Sequence, residues 1–305
     1  TPLHLACAHR SPEAVLALLR HGAESNLLDR NMYSPLHHAA KNCNAGVVNA
    51  LLTAGAAVNL RSSRPDESSA LELAASVGND DVVRALIRHG ADVNDCNWAG
   101  YTAMGAAASS NKESVLNILI EAGAKLEFED NMWSPIHRAC RRGSLEVVLA
   151  LLRHGVDVHR MNPGGHTAIH VAAWQGSIAV LDALLAAGAN VNDTDADTGS
   201  SPLMSAIQGG QVDAVKALLK YGADVTYSDD HLSTTLKEAV CAKKFMVEMI
   251  NALAGAGADV DARDPHNCWT PLHHASLLDR SEAVRVLVFY GANKDMVDAK
   301  GRSPL

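Results

Sequence analysis

The sequence has few aromatic residues and no long apolar run. Phe, Trp and Tyr make up 4% of the 305 residues, while hydrophobic residues as a whole make up 48%. The apolar content is therefore mostly Ala, Leu and Val, which favours closely packed helices over a β-sandwich. Since no apolar run approaches the roughly 18 residues of a membrane span, we expect a helical protein without membrane insertion.

Positive charge and paired cysteines are also scarce. The chain has 26 Lys and Arg against 34 Asp and Glu, a formal charge of −8, whereas a general nucleic-acid binder needs net positive charge. We therefore expect no nucleic-acid partner. The six cysteines are scattered, with no CxxC pair. This pattern predicts reduced thiols in an intracellular protein, in the cytoplasm with the nucleus as an alternative.

Sequence motifs of catalysis and metal binding are missing too. The chain has no HExxH, no GxSxG, no phosphate-binding glycine loop and no Cys/His cluster with zinc spacing. The string 193–199 resembles the start of a calcium loop, but its Gly falls one position late and Met204 stands where a Glu is needed. We interpret it as an acidic hairpin, and predict no enzyme activity, no metal and no cofactor.

What the sequence does contain is an internal repeat of about 33 residues. Its units start at Thr1, Ser34, Ser69, Thr102, Ser134, Thr167, Ser201, Thr234, Thr270 and Ser303. Nine units are complete and a tenth has just begun. Because both ends fall inside the pattern, we expect a piece of a longer protein, truncated at both ends, whose residues 1–305 form one repeat domain.

Each column of the repeat has a physical reason. The opening Ser or Thr is a helix N-cap, and an Ala five residues later lets neighbouring helices approach. A second apolar helix follows and ends at a Gly, which adopts the left-handed C-terminal conformation at no steric cost. Five units carry His in the fourth position, one per unit, so we expect a structural ladder and not a metal site: His4, His37, His137, His170 and His273.

The segments TPLH at 1–4, SPLH at 34–37, SPIH at 134–137 and TAIH at 167–170 resemble the ankyrin repeat. The resemblance extends over essentially the whole chain. It implies an all-α solenoid of stacked helix-turn-helix units, joined by β-hairpin loops that help to form a concave binding face. The unit starting at Thr234 is the least regular, since Lys237 and Glu238 replace the usual His-x and its Gly257 comes two residues late.

The residue just before each cap is free to vary, and aromatic residues accumulate there. Tyr33, Tyr101, Trp133 and Trp269 are a third of all Phe, Trp and Tyr in the chain. Exposed Tyr and Trp are typical anchors of protein interfaces. We predict a partner-binding surface made of Tyr33, Trp98, Tyr101, Met132, Trp133, Arg138, Arg141, Arg142 and Trp269. The alternative is that these rings pack on neighbouring hairpins and only stiffen the array.

Three hairpin asparagines, Asn59, Asn94 and Asn192, resemble those that ankyrin proteins present to a hydroxylating oxygenase, each with a Leu eight residues before it. A turn asparagine that bonds the hairpin backbone is the competing interpretation.

The sequence thus predicts a non-catalytic, monomeric scaffold that binds other proteins or extended peptide segments through its concave face. The alternative is a targeting or regulatory module of a larger enzyme, ubiquitin-ligase adaptor or channel. The fold does not distinguish the two, and the partner and pathway are not encoded in any motif.

Overall fold

The computed structural model describes residues 1–9, 11–42, 44–62, 67–127, 133–226, 234–242 and 246–304. Within these ranges the chain forms eighteen short α-helices, which follow one another in pairs. The chain divides into two compact units, Thr1–Val156 and Asp157–Leu305.

In each unit the helices form two rows. The first helices of successive repeats pack on one another, and the second helices do the same. The first unit contains α1 Pro2–Ala8, α2 Pro12–Arg20, α3 Pro35–Lys41, α4 Ala45–Thr53, α5 Ala70–Val77, α6 Asp80–Arg88, α7 Ala103–Ser109, α8 Glu113–Glu121, α9 Pro135–Arg142 and α10 Leu145–Arg153. The second unit contains α11 Ala168–Gln175, α12 Ile178–Ala186, α13 Pro202–Gln208, α14 Val212–Lys220, α15 Thr235–Cys241, α16 Met246–Gly255, α17 Pro271–Leu277 and α18 Ser281–Phe289.

Small residues allow the first helices to pack closely. Of the nine Ala residues in the sixth position of the repeat, eight have no exposed surface, and only Ala6 in α1 is partly exposed. A larger side chain there would have no room without separating the helices. The glycine after each second helix has a positive φ in all nine repeats, for example 78° at Gly155 and 97° at Gly188.

The fourth-position histidines join adjacent repeats. In α3, His37 Nδ1 lies 2.7 Å from the Oγ of the cap residue Ser34, and His37 Nε2 lies 3.0 Å from the carbonyl oxygen of Ser68, just before the next cap. His170 makes the same pair of contacts with Thr167, at 2.8 Å, and with the carbonyl of Ser200, at 3.0 Å. Each ring therefore connects its own helix cap to the following repeat.

The partners fix the protonation of these rings. A carbonyl oxygen can only accept, so Nε2 must donate. Nδ1 must accept, because the backbone N–H of the cap residue also points at it, at 3.2 Å in Ser34 and 3.3 Å in Thr167. The bonds require the neutral Nε2–H tautomer. Consistently, burial lowers the pKa of His170 below its ordinary value of 6.5, although the Ser200 carbonyl opposes this shift.

Two repeats in the first unit lack this histidine. In the third repeat Glu72 takes its place, with 3% of its surface exposed. Its Oε1 lies 3.1 Å from Arg61 Nη1, and Arg61 Nη2 lies 2.8 Å from Asp95 Oδ2. Burial raises the pKa of Glu72 to about 7, although the Arg61 cation opposes the rise. In the fourth repeat the position is Gly105, which has no side chain to form the bond.

The loops between repeats are turns, and within the described residues they show two isolated antiparallel bridges, Arg61 with Ser69 and Cys96 with Thr102. The expected β-hairpins are therefore reduced to tight turns closed by side chains. Asp29 Oδ1 accepts the backbone N–H groups of Asn31 and Tyr33, an arrangement that Asp and Asn form readily in turns.

In the irregular repeat of the second unit, an arginine from the next repeat bonds the end of the first helix. Helix α16 has ten residues where the other second helices have nine. The guanidinium of Arg280 donates to the carbonyl oxygens of Ala242 and Cys241, just after and at the end of α15. It therefore satisfies backbone groups that helix α15 leaves unpaired.

The histidine bonds predict acid sensitivity. A histidine with a lowered pKa in the folded state stabilises the fold above its unfolded pKa of 6.5, and this stabilisation is lost as the pH falls below that value. His166 also lowers the pKa of His170, while Asp193 and Asp195 raise it. His170→Gln removes the titrating group, so the variant should lose less stability than the wild type between about pH 7.5 and about pH 5.5, by up to about 1 kcal/mol. Urea unfolding of both proteins at the two pH values measures this, and equal losses would contradict it.

Candidate functional site

The aromatic residues before the caps lie beside the first helix of their own repeat. The Trp133 ring meets the His137 ring edge-on, with centroids 6.3 Å apart. The Tyr33 ring is tilted by 33° against the His37 ring, with centroids 5.6 Å apart, and meets the His38 ring edge-on at 5.9 Å. The structure thus places these rings over the helix that follows them.

Tyr33 differs from the others because it is buried. Only 8% of its surface is exposed, and its carbonyl oxygen accepts the His4 Nε2–H at 3.0 Å. Its side chain therefore packs inside the first unit and offers little area to a partner. The competing interpretation, that a ring in this column stiffens the array, describes Tyr33 best.

Tyr101 and Trp133 form a cluster with two arginines of α9. The guanidinium carbon of Arg138 lies 4.5 Å from the centroid of the Tyr101 ring, and that of Arg141 lies 5.3 Å from the Trp133 ring. Both distances are typical of cation–π contacts. We call these four residues the aromatic–arginine cluster. Both rings are partly exposed and Arg141 is exposed, so the cluster forms part of the surface.

Gly105 makes room for Arg138. A Cβ atom on Gly105 would lie 3.2 Å from Arg138 Nε and 3.3 Å from its Cδ, closer than such atoms normally approach. Arg138 Nε donates to the Trp133 carbonyl oxygen at 3.1 Å. Trp133 precedes a cap, so its carbonyl is the group to which a fourth-position histidine at position 105 would donate. Arg138 therefore satisfies, from within the same repeat, the carbonyl that the missing histidine would bond, and burial lowers the pKa of its guanidinium.

The other residues of the first unit that we predicted to bind a partner lie near this cluster in the sequence. Trp98 lies in the turn before Tyr101 and is 76% exposed. Arg142, at the end of α9, is also exposed. Met132 lies outside the described residues.

Trp269 belongs to the second unit and has its own partners. Its ring stacks on His273 with an interplanar angle of 11°, and its Nε1–H donates to Asp298 Oδ2 at 3.1 Å. Arg302 contacts the same carboxylate at 2.7 Å. The hydrogen bonds from Arg302, together with that from Trp269, lower the pKa of Asp298 well below its ordinary value. These contacts hold the Trp269 ring in place while part of it stays exposed.

The three hairpin asparagines connect successive turns. Asn94 Nδ2 donates to the Gly123 carbonyl at 3.3 Å, and its Oδ1 accepts the Lys125 N–H at 2.7 Å. Asn59 bonds Gly90 and Asp92 in the same way, and Asn192 bonds Gly222 and Asp224. Each amide therefore forms a second link between repeats. Hydroxylation of these residues stays a prediction.

Sequence reasoning missed Trp174, at the end of α11, which is 53% exposed. It lies seven residues after its cap, in the column that holds Arg141 in α9 and Leu277 in α17, and Leu277 is 66% exposed. Attention to the pre-cap column alone overlooked it. A comparison of the side chains in this column of each repeat would have found it.

In the string 193–199, which resembles the start of a calcium loop, the carboxylate of Asp195 bonds the backbone of its own turn. Asp195 Oδ1 accepts the N–H groups of Asp197 and Thr198, at 2.9 and 2.6 Å, and its Oδ2 accepts from Ser200 at 3.0 Å. Among the described residues, no three His, Cys, Asp or Glu side chains lie together so as to hold a metal ion. In the same part of the chain, no helix is long and apolar enough to cross a membrane.

Comparison with known proteins identifies the class. A profile of three ankyrin repeats matches residues 1–62, 60–130, 126–195 and 187–264, and a single-repeat profile matches 267–299. These matches cover nearly the whole chain, which therefore belongs to the ankyrin-repeat family. The solved ankyrin repeat domain of Bcl-3, a member of the IkappaB family, is similar with a TM-score of 0.61 at 27% identity, covering 72% of this chain and 97% of that domain.

Sequence relatives include larger proteins of different kinds. The human transient receptor potential cation channel subfamily A member 1 is 28% identical over 100% of this chain and 22% of the channel. The human ankyrin repeat and SOCS box protein 16 is 32% identical over 54% of this chain and 38% of that protein. The chain thus spans about a fifth of the length of the channel. As an ankyrin array it is a protein-interaction module, of a fold that is typically non-catalytic.

The asparagine links predict a measurable contribution to stability. Asn94→Ala removes both bonds and should lower the free energy of unfolding by about 1 kcal/mol. Asn94→Asp keeps the acceptor for Lys125 but places a carboxylate oxygen against the Gly123 carbonyl, so it should also lower the free energy of unfolding. Urea unfolding followed by circular dichroism compares the two variants. An alanine variant as stable as the wild type would show that the links are not stabilising.

Proposed function

We propose that the chain is the non-catalytic interaction module of a larger intracellular protein, and that a partner protein binds at the turns and first helices of its first unit. The observation that carries the proposal is the aromatic–arginine cluster, Tyr101, Trp133, Arg138 and Arg141, with the exposed Trp98 and Arg142 nearby in sequence. Trp, Tyr and Arg are the residue types that dominate binding energy in protein interfaces.

The cluster is suited to binding because its side chains are already ordered. Arg138 is held by the Trp133 carbonyl and the Tyr101 ring, and Trp133 is held by the His137 ring. A partner therefore gains contacts without the full entropy cost of fixing long side chains. The exposed faces of the two rings then supply apolar area, and the arginines supply polar specificity. Trp269, which Asp298 holds in the second unit, is a further candidate contact.

The same module can serve a larger enzyme, ubiquitin-ligase adaptor or channel as a targeting or regulatory part. The relatives favour this second candidate, because they include a cation channel that aligns with the whole of this chain and a SOCS box protein. In either case we propose that the module itself performs no catalysis, binds no nucleic acid and acts as a monomeric array. Reading the parent sequence beyond both ends distinguishes the two candidates.

An intracellular location, in the cytoplasm or the nucleus, is supported by the cysteines. The five described cysteines are free thiols, and Cys7 and Cys140 are buried. Burial raises the pKa of the Cys7 thiol to about 12, which keeps it protonated and unreactive. Unpaired cysteines are typical of a reducing compartment.

Trp133→Ala tests the binding surface. The partner is first identified by affinity capture on the native chain and mass spectrometry, and its affinity is then measured by calorimetry. Removing a central ring should weaken binding about 30-fold or more, since such a residue contributes about 2 kcal/mol.

Phe289→Ala is the matched control. Phe289 lies on α18 and is 82% exposed, so its replacement removes an exposed ring from a second helix and should leave the affinity unchanged. Circular dichroism must show both variants folded. Unchanged affinity in the folded Trp133→Ala protein would refute the proposed surface.

A further inference from the structure

We propose that the aromatic–arginine cluster recognises an acidic side chain, Asp or Glu, in an extended peptide segment of the partner, and that Arg138 makes the principal contact. The inference rests on the proposed function and adds the chemistry of the partner. Three features of the first unit carry it: the geometry of Arg138, the lack of a counter-charge for it among the described residues, and the second cation beside it.

The geometry of Arg138 leaves its terminal nitrogens available. Its Nε is used by the Trp133 carbonyl, and one face of its guanidinium lies against the Tyr101 ring. Among the described residues, neither terminal nitrogen donates to an acceptor. Among the described residues, neither of these two nitrogens is one of the buried side-chain atoms that lack a partner. Solvent or a ligand can therefore reach them. Two adjacent N–H donors in one plane match the two oxygens of a carboxylate.

No carboxylate of the chain occupies this position in the part that the structure describes. The ion pairs of the first unit there are made by His38, Arg61, Arg84 and Arg153, and none involves Arg138, Arg141 or Arg142. Arg61 shows the contrast, since that half-buried guanidinium is paired with both Glu72 and Asp95. Arg138 is similarly half-buried, yet among the described residues only an aromatic ring and a carbonyl oxygen compensate its charge.

Partial burial makes an anionic ligand favourable at Arg138. Its guanidinium has already lost part of its hydration, so an incoming carboxylate displaces less water than it would at an exposed arginine. The cation–π contact with Tyr101 and the bond to Trp133 fix its orientation before binding. Arg141, held 5.3 Å from the Trp133 ring centroid, adds a second positive charge on the same helix.

The charge of the whole chain favours an acidic peptide over a nucleic acid. A nucleic acid binds through many phosphate contacts. The formal charge of −8 would repel such a polyanion. A single carboxylate needs only the local pair of arginines. The rings of Tyr101 and Trp133 beside them suit an apolar residue next to the acidic one in the partner.

Selection of random short peptides displayed on phage against the full 305-residue chain tests the proposal before the natural partner is identified. We expect the wild type to enrich peptides with Asp or Glu beside an apolar residue. Arg138→Gln should lose this preference. Arg153→Gln is the matched control, because it removes the same charge from an exposed arginine of the first unit that pairs with Glu113, and it should keep the preference.

The best selected peptide and its twin with Glu→Gln are then compared by fluorescence anisotropy. The acidic peptide should bind about tenfold more tightly than its twin to the wild type, and Arg138→Gln should abolish that difference. Raising the salt concentration should weaken the acidic peptide selectively. Should Arg138→Gln fail to fold, Arg141→Gln at the exposed position must reduce the difference as well.

The outcomes separate this inference from the proposed function. Neutral or basic peptides enriched by the wild type, or an acidic preference that persists in folded Arg138→Gln, overturns the inference. If Trp133→Ala still weakens partner binding in that case, the interaction surface stands and only its acidic chemistry is wrong. If Trp133→Ala also has no effect, the proposed surface fails as well.

Discussion

The repeat depends on one hydrogen-bonded bridge, in which a fourth-position histidine accepts from the cap of its own helix and donates to the carbonyl that precedes the next cap. At His37 these contacts are 2.7 and 3.0 Å long, and His170 repeats them at 2.8 and 3.0 Å. In the repeats that carry the histidine, the bridge fixes the start of the first helix and its distance from the next repeat. A short helix of seven or eight residues is marginal alone, so its stability must come from neighbours joined in this way.

The bridge also explains where the chain can carry function. A repeat that bonds and packs in the common way leaves few side chains free, whereas a repeat without the histidine must satisfy the next carbonyl differently. At Gly105 the missing side chain opens space that Arg138 fills from the following helix, and its Nε takes over the bond to Trp133. A structural substitution therefore places a guanidinium against the Tyr101 ring, beside the pair formed by Arg141 and Trp133. At Glu72 the fourth-position side chain instead forms a buried ion pair with Arg61.

Most of the fold follows from the sequence, because each repeat column reports a local requirement. The Ser and Thr caps and the positive-φ Gly are set by backbone chemistry within one unit, so their spacing predicts the helices. The exposure of individual rings does not follow, since it depends on contacts between repeats. Tyr33 and Trp133 share a column, yet Tyr33 packs between His37 and His38 and is buried, while Trp133 stays partly exposed. Trp174 was missed because it lies seven residues after its cap, outside the column before the caps, and its 53% exposure is evident only in the structure.

Nuclear magnetic resonance of the ring nitrogens tests the central bridge most directly. In a protein labelled with ¹⁵N at histidine, the account predicts that at neutral pH His37, His170 and His273 carry their proton on Nε2, with an unprotonated Nδ1 and a hydrogen bond visible from Nε2 to the carbonyl. Rings that carry the proton on Nδ1, or that are protonated on both nitrogens at neutral pH, would contradict it.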